Sequence, residues 1–232
     1  MKKKIVVSFS GGKDSILALH RLQKSGKWEI ESLLTTLTED YDRTTMHGVR
    51  NSLLEMQAHS LGIPLRKVWI PKDCPNEIYQ QRMGNAVNRI LADGIAYIMF
   101  GDIFLEDVKV YREKMLEGIG LTPIFPIWGE DSKKLIDEFV KEGFKTVVCC
   151  VDAFTIDASF LGRVIDEPFI NDYPVEHDVC GENGEFHTFV FDGPNFSYPI
   201  PYKLGECRMV KDMFTGQDRF YFVDLLSVVS SK

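Results

Sequence analysis

Lys4-Ile5-Val6-Val7-Ser8-Phe9, running directly into Ser10-Gly11-Gly12-Lys13-Asp14-Ser15, is the stretch that decides the fold. The first six residues form a short apolar run of strand length. Beyond the second six, Ile16, Leu17, Leu19, His20 and Leu22 keep helical spacing until Ser25-Gly26 stops the helix. A strand that passes through two glycines straight into a helix opens a βαβ unit.

Working outward, the same alternation repeats. Ile30 to Leu37 reads as a second strand, and Leu53, Leu54, Met56, Gln57 and Ala58 lie in a helix that Gly62-Ile63-Pro64 ends. Leu65 to Ile70 is a third strand, Asn76 to Asp93 a helix, Ile95 to Phe100 a fourth strand and Asp107 to Glu117 a helix, with a short segment near Pro123–Trp128. The pattern βαβαβαβ predicts a parallel, Rossmann-like sheet covered on both faces. After Gly129 the pattern changes. A helix at Ser132–Glu142 precedes the very apolar Thr146–Val151, and strand-like runs follow at Phe186–Phe191, Arg208–Met213 and Phe220–Leu226. The expectation is an α/β domain over 1–129 and a smaller α+β domain over 130–232.

Composition narrows the functional classes. The chain has 232 residues, 44% hydrophobic and 26% charged, as in ordinary globular proteins. No apolar run reaches the roughly 20 residues needed to span a bilayer. Met1-Lys2-Lys3-Lys4 leads only into Ile5-Val6-Val7 before Ser8, which is not a signal-peptide core. Five cysteines without a C-x-x-C pair read as reduced thiols, so a cytoplasmic location is expected and no membrane association. Residues 1–129 hold 17 Lys and Arg against 15 Asp and Glu, whereas residues 130–232 hold 10 against 19. The −9 balance of the second half disfavours nucleic acid as a partner.

The six residues 10–15 carry a phosphate-binding signature. Gly11 and Gly12 let the backbone approach a ligand, and the helix N-terminus adds a positive dipole end. Ser10 and Ser15 supply hydroxyls and Lys13 a cation. Asp14 repels phosphate, so its useful role is to hold Mg²⁺. The spacing fits neither a Walker A loop nor G-x-G-x-x-G.

Ser-Gly-Gly-x-Asp-Ser resembles the PP-loop of the N-type ATP pyrophosphatases. That resemblance implies a HUP-type ATP-binding domain, a cradle for the pyrophosphate leaving group, and attack at the α-phosphorus of ATP. Several further segments together resemble the diphthine–ammonia ligase family and its bacterial relatives. They are His47, Gln57-Ala58 with Leu61-Gly62-Ile63-Pro64, Gly101-Asp102-Ile103, Tyr111-Arg112-Glu113, and Cys180-Gly181-Glu182-Asn183-Gly184-Glu185-Phe186-His187-Thr188. This likeness covers nearly the whole chain. It implies ATP-dependent amidation of the diphthine carboxylate on elongation factor 2, with ammonium as nitrogen source. It also implies nucleotide contacts from Leu37 and Gly101, and substrate contacts from His47, Arg112, Glu113, Glu182, Glu185 and Thr188. Two stretches depart from the eukaryotic pattern: Asp102 stands where Ala is common, and Phe104–Lys109 replaces a Ser-x-Tyr-Gln-Arg stretch. A small-molecule carboxylate is therefore the alternative acceptor, and a nucleotide sensor without turnover the alternative class. A homodimer is compatible with the sequence.

The residues of the last motif have their own reading. Glu176-His177-Asp178 and Glu182-x-x-Glu185-x-His187 gather ionisable groups around a turn made by Gly181 and Gly184. Glu185 and His187 are expected on one strand face. Such a cluster suits ammonium capture and deprotonation by Glu182, Glu185 or His187. It also suits a metal held by His177, Glu182 and His187, or a solvated acidic hairpin. Lys2 at the second position and the lack of a nucleophile elbow around Cys180 argue for free ammonia over glutamine as nitrogen donor. His20 and His59 read as packing or surface residues, and Cys149-Cys150 as core.

Overall fold

The structure, a computed structural model, describes residues 2–45, 47–211 and 215–228. Two sheets organise it. The first contains β1 (Lys3–Ser8), β2 (Trp28–Thr38), β3 (Arg43–Thr44), β4 (Leu65–Ile70), β5 (Tyr97–Met99) and β6 (Thr122–Ile124). Parallel pairings join β4, β2, β1, β5 and β6 in that spatial order, and β3 adds a short antiparallel pairing to the end of β2. The strand order reverses between β2 and β5 on either side of β1. In open parallel sheets that switch point is where ligands bind, outside the carboxyl ends of the strands.

Helices α1 (Lys13–Ser25), α2 (Asn51–Leu61), α3 (Asn76–Ala92) and α4 (Glu106–Leu116) cover this sheet. The period of two along the strands assigns the faces. Val6, Leu34, Val68 and Ile98 pack with Val87 and Ile90 of α3 and Leu116 of α4. Ile5, Val7, Leu33 and Leu37 point the other way, onto Ile16 and Leu19 of α1 and Leu53 and Leu54 of α2. Both faces are buried, which is why these strands read as continuous apolar runs.

The second core does not stop at the first sheet. It runs on through Leu135, Ile136 and Phe139 of α5 (Ser132–Lys141) into Val147, Val148 and Val151 of β7 (Lys145–Asp152). The α5 helix starts where Asp131 accepts a hydrogen bond from the Lys134 N–H at 3.0 Å, an N-cap. Beyond β7 come a 3₁₀ turn at Ala158–Phe160 and the short helix α6 (Glu167–Asp172). The strands β8 (Phe186–Asp192), β9 (Tyr202–Lys211) and β10 (Asp218–Ser227) complete an antiparallel four-stranded sheet in the order β8-β7-β10-β9. No helix among the described residues is long and apolar enough to cross a membrane.

Most expected elements are present, with differences at the ends. β9 starts at Tyr202, earlier than the expected Arg208, because it is drawn into register along β10. Residues 212 and 213 of the expected Arg208–Met213 run lie outside the described residues. β3 and α6 have no counterpart among the expected elements. Cys149 and Cys150 are buried in β7, as expected. His20 is packed edge-on against Phe144 at 5.1 Å, while His59 hydrogen-bonds to the Tyr198 hydroxyl at the surface.

Candidate active site

The loop Ser10–Gly12 lies between β1 and α1. Gly11 has φ +78°, a conformation that favours glycine, and a Cβ there would meet Gln57 Oε1 at 2.5 Å. A Cβ on Gly12 would meet His47 Cε1 at 2.8 Å and the Thr188 carbonyl oxygen at 3.1 Å. A Cβ on Gly101, just beyond β5, would meet backbone atoms of Asp14 and Ser15 at 3.0 Å. The three glycines thus let three chain segments close on one another at the switch point.

Strand β8 is the partner that completes the loop. The Val190 N–H donates to the Gly11 carbonyl at 2.9 Å, and the Lys13 N–H donates to Thr188 Oγ1 at 3.1 Å. The fully buried Gln57 of α2 donates through Nε2 to the carbonyls of Gly11 at 3.0 Å and Val190 at 2.6 Å. Ser10 Oγ accepts from the Gly12 N–H at 3.2 Å, and Ser15 Oγ donates to the Gly12 carbonyl at 3.0 Å. Two amides of the loop, those of Gly12 and Lys13, are therefore already engaged. Both serine hydroxyls meet each other at 3.2 Å at the N-terminus of α1.

Lys13 is 4% exposed and grips both oxygens of Asp14 at 2.8 Å, with its ammonium 5.3 Å above the Phe186 ring. Burial works to lower the Lys13 pKa, but Asp14, Cys180 and Glu182 outweigh it and leave it raised. Asp14 keeps 31% of its side chain open to solvent, yet protein crowding lifts its carboxyl above the ordinary value, with Lys13 opposing.

Glu182 reaches this centre from the turn before β8. Its Oε1 accepts from the Ile103 N–H at 2.8 Å, which ties the turn to the segment after β5. Burial pushes its carboxyl up to about 7, opposed by the Ile103 hydrogen bond and assisted by the charge of Asp14. Asp102 forms a bidentate pair with Arg112 at 2.6 and 2.9 Å, and the Arg112 guanidinium lies 4.5 Å from the Phe100 ring centre. His47 sits over the loop. One of its ring nitrogens, Nδ1, lies 3.1 Å from the Thr188 carbonyl, and its ring lies 4.6 Å from that of His187. Burial depresses both imidazoles, His47 to about 4 and His187 well below its ordinary value, so both are neutral near pH 7.

Several sequence expectations change here. Leu37 has a fully buried core side chain near the carboxyl end of β2, paired to Thr44 and Trp69, so a nucleotide contact there would fall to its backbone. Glu113, expected as a substrate contact, pairs with Lys109 one helical turn away at 2.8 Å. Glu185 precedes β8 and does not share a strand face with His187. It is 2% exposed and folded into its own turn, which also removes the solvated-hairpin reading for this residue. His177, Glu182 and His187 do not converge, and no group of three or more His, Cys, Asp or Glu able to hold a metal occurs among the described residues. Cys180 is buried, donates to the Ser132 carbonyl at 3.2 Å, and has its pKa pushed up by burial, the environment of an inert thiol. Gln57, Asp102 and Asp178, quoted above within motifs but given no role of their own, are placed here by their hydrogen bonds: Gln57 to the Gly11 and Val190 carbonyls, Asp102 to Arg112, and Asp178 to the Glu182 N–H.

Comparison with known proteins bears on this geometry. The family model of the diphthamide synthase N-terminal domain matches residues 3–123, and that of the diphthamide synthase C-terminal domain matches residues 131–217. The chain belongs to the diphthamide synthase family. Similar curated proteins include the diphthine–ammonia ligase of Bos taurus, 22% identical over 219 residues, covering 85% of this chain and 82% of that protein. The diphthine–ammonia ligase of Danio rerio is 24% identical over 221 residues, covering 85% of each. Among solved structures, the U34-tRNA thiolase NcsA of Methanococcus maripaludis with its [4Fe-4S] cluster shares 15% identity at a TM-score of 0.39, over 60% of this chain and 58% of that one.

Proposed function

We propose that this member of the family is an ATP-dependent carboxylate–ammonia ligase that releases AMP and pyrophosphate, with the diphthine carboxylate of elongation factor 2 as acceptor. The observation that carries the reading is the closure of Ser10–Ser15 by Thr188 and Val190, which brings the Glu182 turn beside Lys13 and Asp14. On this reading residues 1–129 bind ATP and residues 130–232 present the acceptor.

The Ser10 and Ser15 hydroxyls, the N-terminus of α1 and the Lys13 ammonium hold the phosphates. Asp14 suits Mg²⁺, because that ion is commonly held by one or two carboxylates together with substrate phosphates, and this carboxylate is partly open beside the loop. The bound ion would supply neutralisation of phosphate charge. Lys13, now paired to Asp14, offers its ammonium to phosphate oxygens as pyrophosphate leaves. The acceptor carboxylate attacks the α-phosphorus to give an acyl-adenylate. Ammonia then displaces AMP, and Glu182, with its carboxyl near 7, takes the proton that ammonium must lose first. The neutral His47 and His187 help wall off the loop without adding charge.

A second acceptor class, a small-molecule carboxylate, is favoured by one observation. Asp102 already takes two of the five N–H donors of Arg112 in a bidentate pair, which leaves less of that guanidinium for a large acceptor. The test is turnover with ATP and ammonium against diphthine-bearing elongation factor 2 and a panel of small carboxylates. AMP formation only with the modified factor supports the first reading, and AMP formation only with a small acid replaces it by the second. No AMP with any acceptor removes both.

A further inference from the structure

Next to the start of β8, two buried polar atoms have no hydrogen-bond partner among the described residues. Glu185 Oε1 accepts from the Asp178 N–H at 3.1 Å and Asn183 Nδ2 at 3.0 Å, while Oε2 is buried with no hydrogen-bond partner among the described residues. The hydroxyl of Tyr173, itself 5% exposed, is buried and equally unpartnered. The two lie in one neighbourhood. The Tyr173 ring packs 5.7 Å from that of Phe186, the residue after Glu185, and stacks 5.7 Å from Phe169. Burial first, and then the charges of Glu185, Asp178 and Cys180, raise the Tyr173 pKa, so its hydroxyl stays neutral and keeps a lone pair to offer.

Both donors that reach Glu185 are neutral. A carboxylate shut away from water with neutral donors and one idle oxygen calls for a small cation that donates hydrogen bonds. A divalent metal is a poor fit: Mg²⁺ and Ca²⁺ take six or more ligands, mostly oxygen, and no group of three or more His, Cys, Asp or Glu able to hold a metal occurs among the described residues.

We propose that Glu185 Oε2 and Tyr173 Oη form the docking site for ammonium, the nitrogen donor, walled by the rings of Phe186 and Phe169. This rests on the ligase reading given above and assigns the nitrogen subsite within it. The site adjoins the reacting centre on two sides. Lys13 lies over the Phe186 ring, and the Asp178 carboxylate accepts from the Glu182 N–H at 2.7 Å. Ammonium held there passes one proton to the Glu182 carboxylate. Its freed lone pair forms the C–N bond at the acyl carbon, the C–O bond to AMP breaks, AMP leaves with the electron pair, and the amide nitrogen sheds its second proton to solvent.

The test has a crystallographic and a kinetic arm. Crystals of the full chain soaked in thallium(I), a monovalent ion of ammonium-like size, should show an anomalous peak in contact with Glu185 Oε2 and Tyr173 Oη, and ammonium should displace it. Absence of that peak overturns the proposal. In turnover, E185Q keeps the two accepted hydrogen bonds but aims an NH₂ group where the cation sits. It should raise the ammonium KM at least tenfold while the ATP KM moves less than twofold. Y173F removes one acceptor without touching the turn and should raise the ammonium KM severalfold; it decides the matter if E185Q does not fold. An unchanged ammonium KM in both variants reduces the peak to a structural alkali-metal site and overturns the assignment. If no acceptor supports turnover in the unmodified chain, the ligase reading fails, and the thallium peak still decides whether this pair holds a monovalent cation.

Discussion

The backbone N–H of Lys13 donates to the Thr188 hydroxyl at 3.1 Å, joining residues 175 apart in sequence. The bond fastens the N-terminus of α1 to β8, so the phosphate loop is built from both sheets. Thr188→Val keeps the shape and leaves a buried donor unsatisfied, which costs about 1–3 kcal/mol. A lower Tm and weaker ATP binding are expected, with Thr188→Ser restoring most of both. Thermal melts with and without ATP check this, and a Val variant indistinguishable from the parent in both would contradict it.

Gly101 should tolerate no side chain. A Cβ there lies 3.0 Å from backbone atoms of Asp14 and Ser15, which cannot swing aside as a flexible side chain can. Gly101→Ala is expected to lose about 1–3 kcal/mol and to raise the ATP KM. Gly84, inside α3 with open space where a Cβ would stand, is the control. There Ala should stabilise by roughly 0.5–1 kcal/mol, as it commonly does in a helix interior. Equal melting shifts in the two variants would remove the close-approach argument.

Glu182 sets a pH dependence of definite sign. Its carboxyl is raised to about 7 in the folded chain, against an ordinary value near 4.3, so the folded state holds its proton more tightly than the unfolded chain. Its contribution to stability therefore falls as pH rises from about 4 through 7. Glu182→Gln should gain stability relative to the parent above pH 7 and lose the rising limb of kcat/KM centred near 7. Matched urea titrations at pH 5 and 8, alongside a pH–rate profile, read both effects. A limb that survives in the Gln variant would assign the base elsewhere.

Asp224 of β10 accepts from Arg43 at 2.7 Å and from Arg50 at 2.6 and 3.0 Å, which pins both ends of the segment bearing His47. Burial pushes its carboxyl up, but Arg50 and Arg43 more than offset this and hold it well below the usual range. A depressed carboxyl contributes stability above its unfolded value near 4, and that contribution is lost as pH falls below it. Asp224→Asn is expected to cost about 1–3 kcal/mol at pH 7 and progressively less on acidification. A stability difference that is constant from pH 7 to pH 3 would contradict the ion-pair assignment.

The sequence is most informative where one residue period runs undisturbed. Leu65–Ile70 is bounded by Pro64 and Pro71, and its observed ends match the expected ones. It is least informative where pairing with a distant segment imposes structure. β9 begins in the polar Tyr202-Lys203-Leu204-Gly205-Glu206, whose strand state follows from β10 beside it. α6, of six residues, is too short for periodicity; its signal is Asp166 before Glu167-Pro168, with Asp166 accepting from the Phe169 N–H at 2.9 Å. At the site, residues 10–15 are legible because glycine, hydroxyl and charge sit in consecutive positions. The roles of Glu182, bonded to an amide 79 residues away, and of Glu185, turned inward by Gly181 and Gly184, depend on contacts that no local pattern encodes.

The position of ATP cleavage tests the central claim most directly. Phosphorus NMR of the full chain incubated with ATP, Mg²⁺, ammonium and a competent acceptor resolves the products. The loop at Ser10–Ser15 predicts AMP and pyrophosphate in equal amounts, dependent on ammonium and not replaced by glutamine. ADP and inorganic phosphate as the main products would contradict it, because transfer of the γ-phosphoryl group requires a differently built phosphate site.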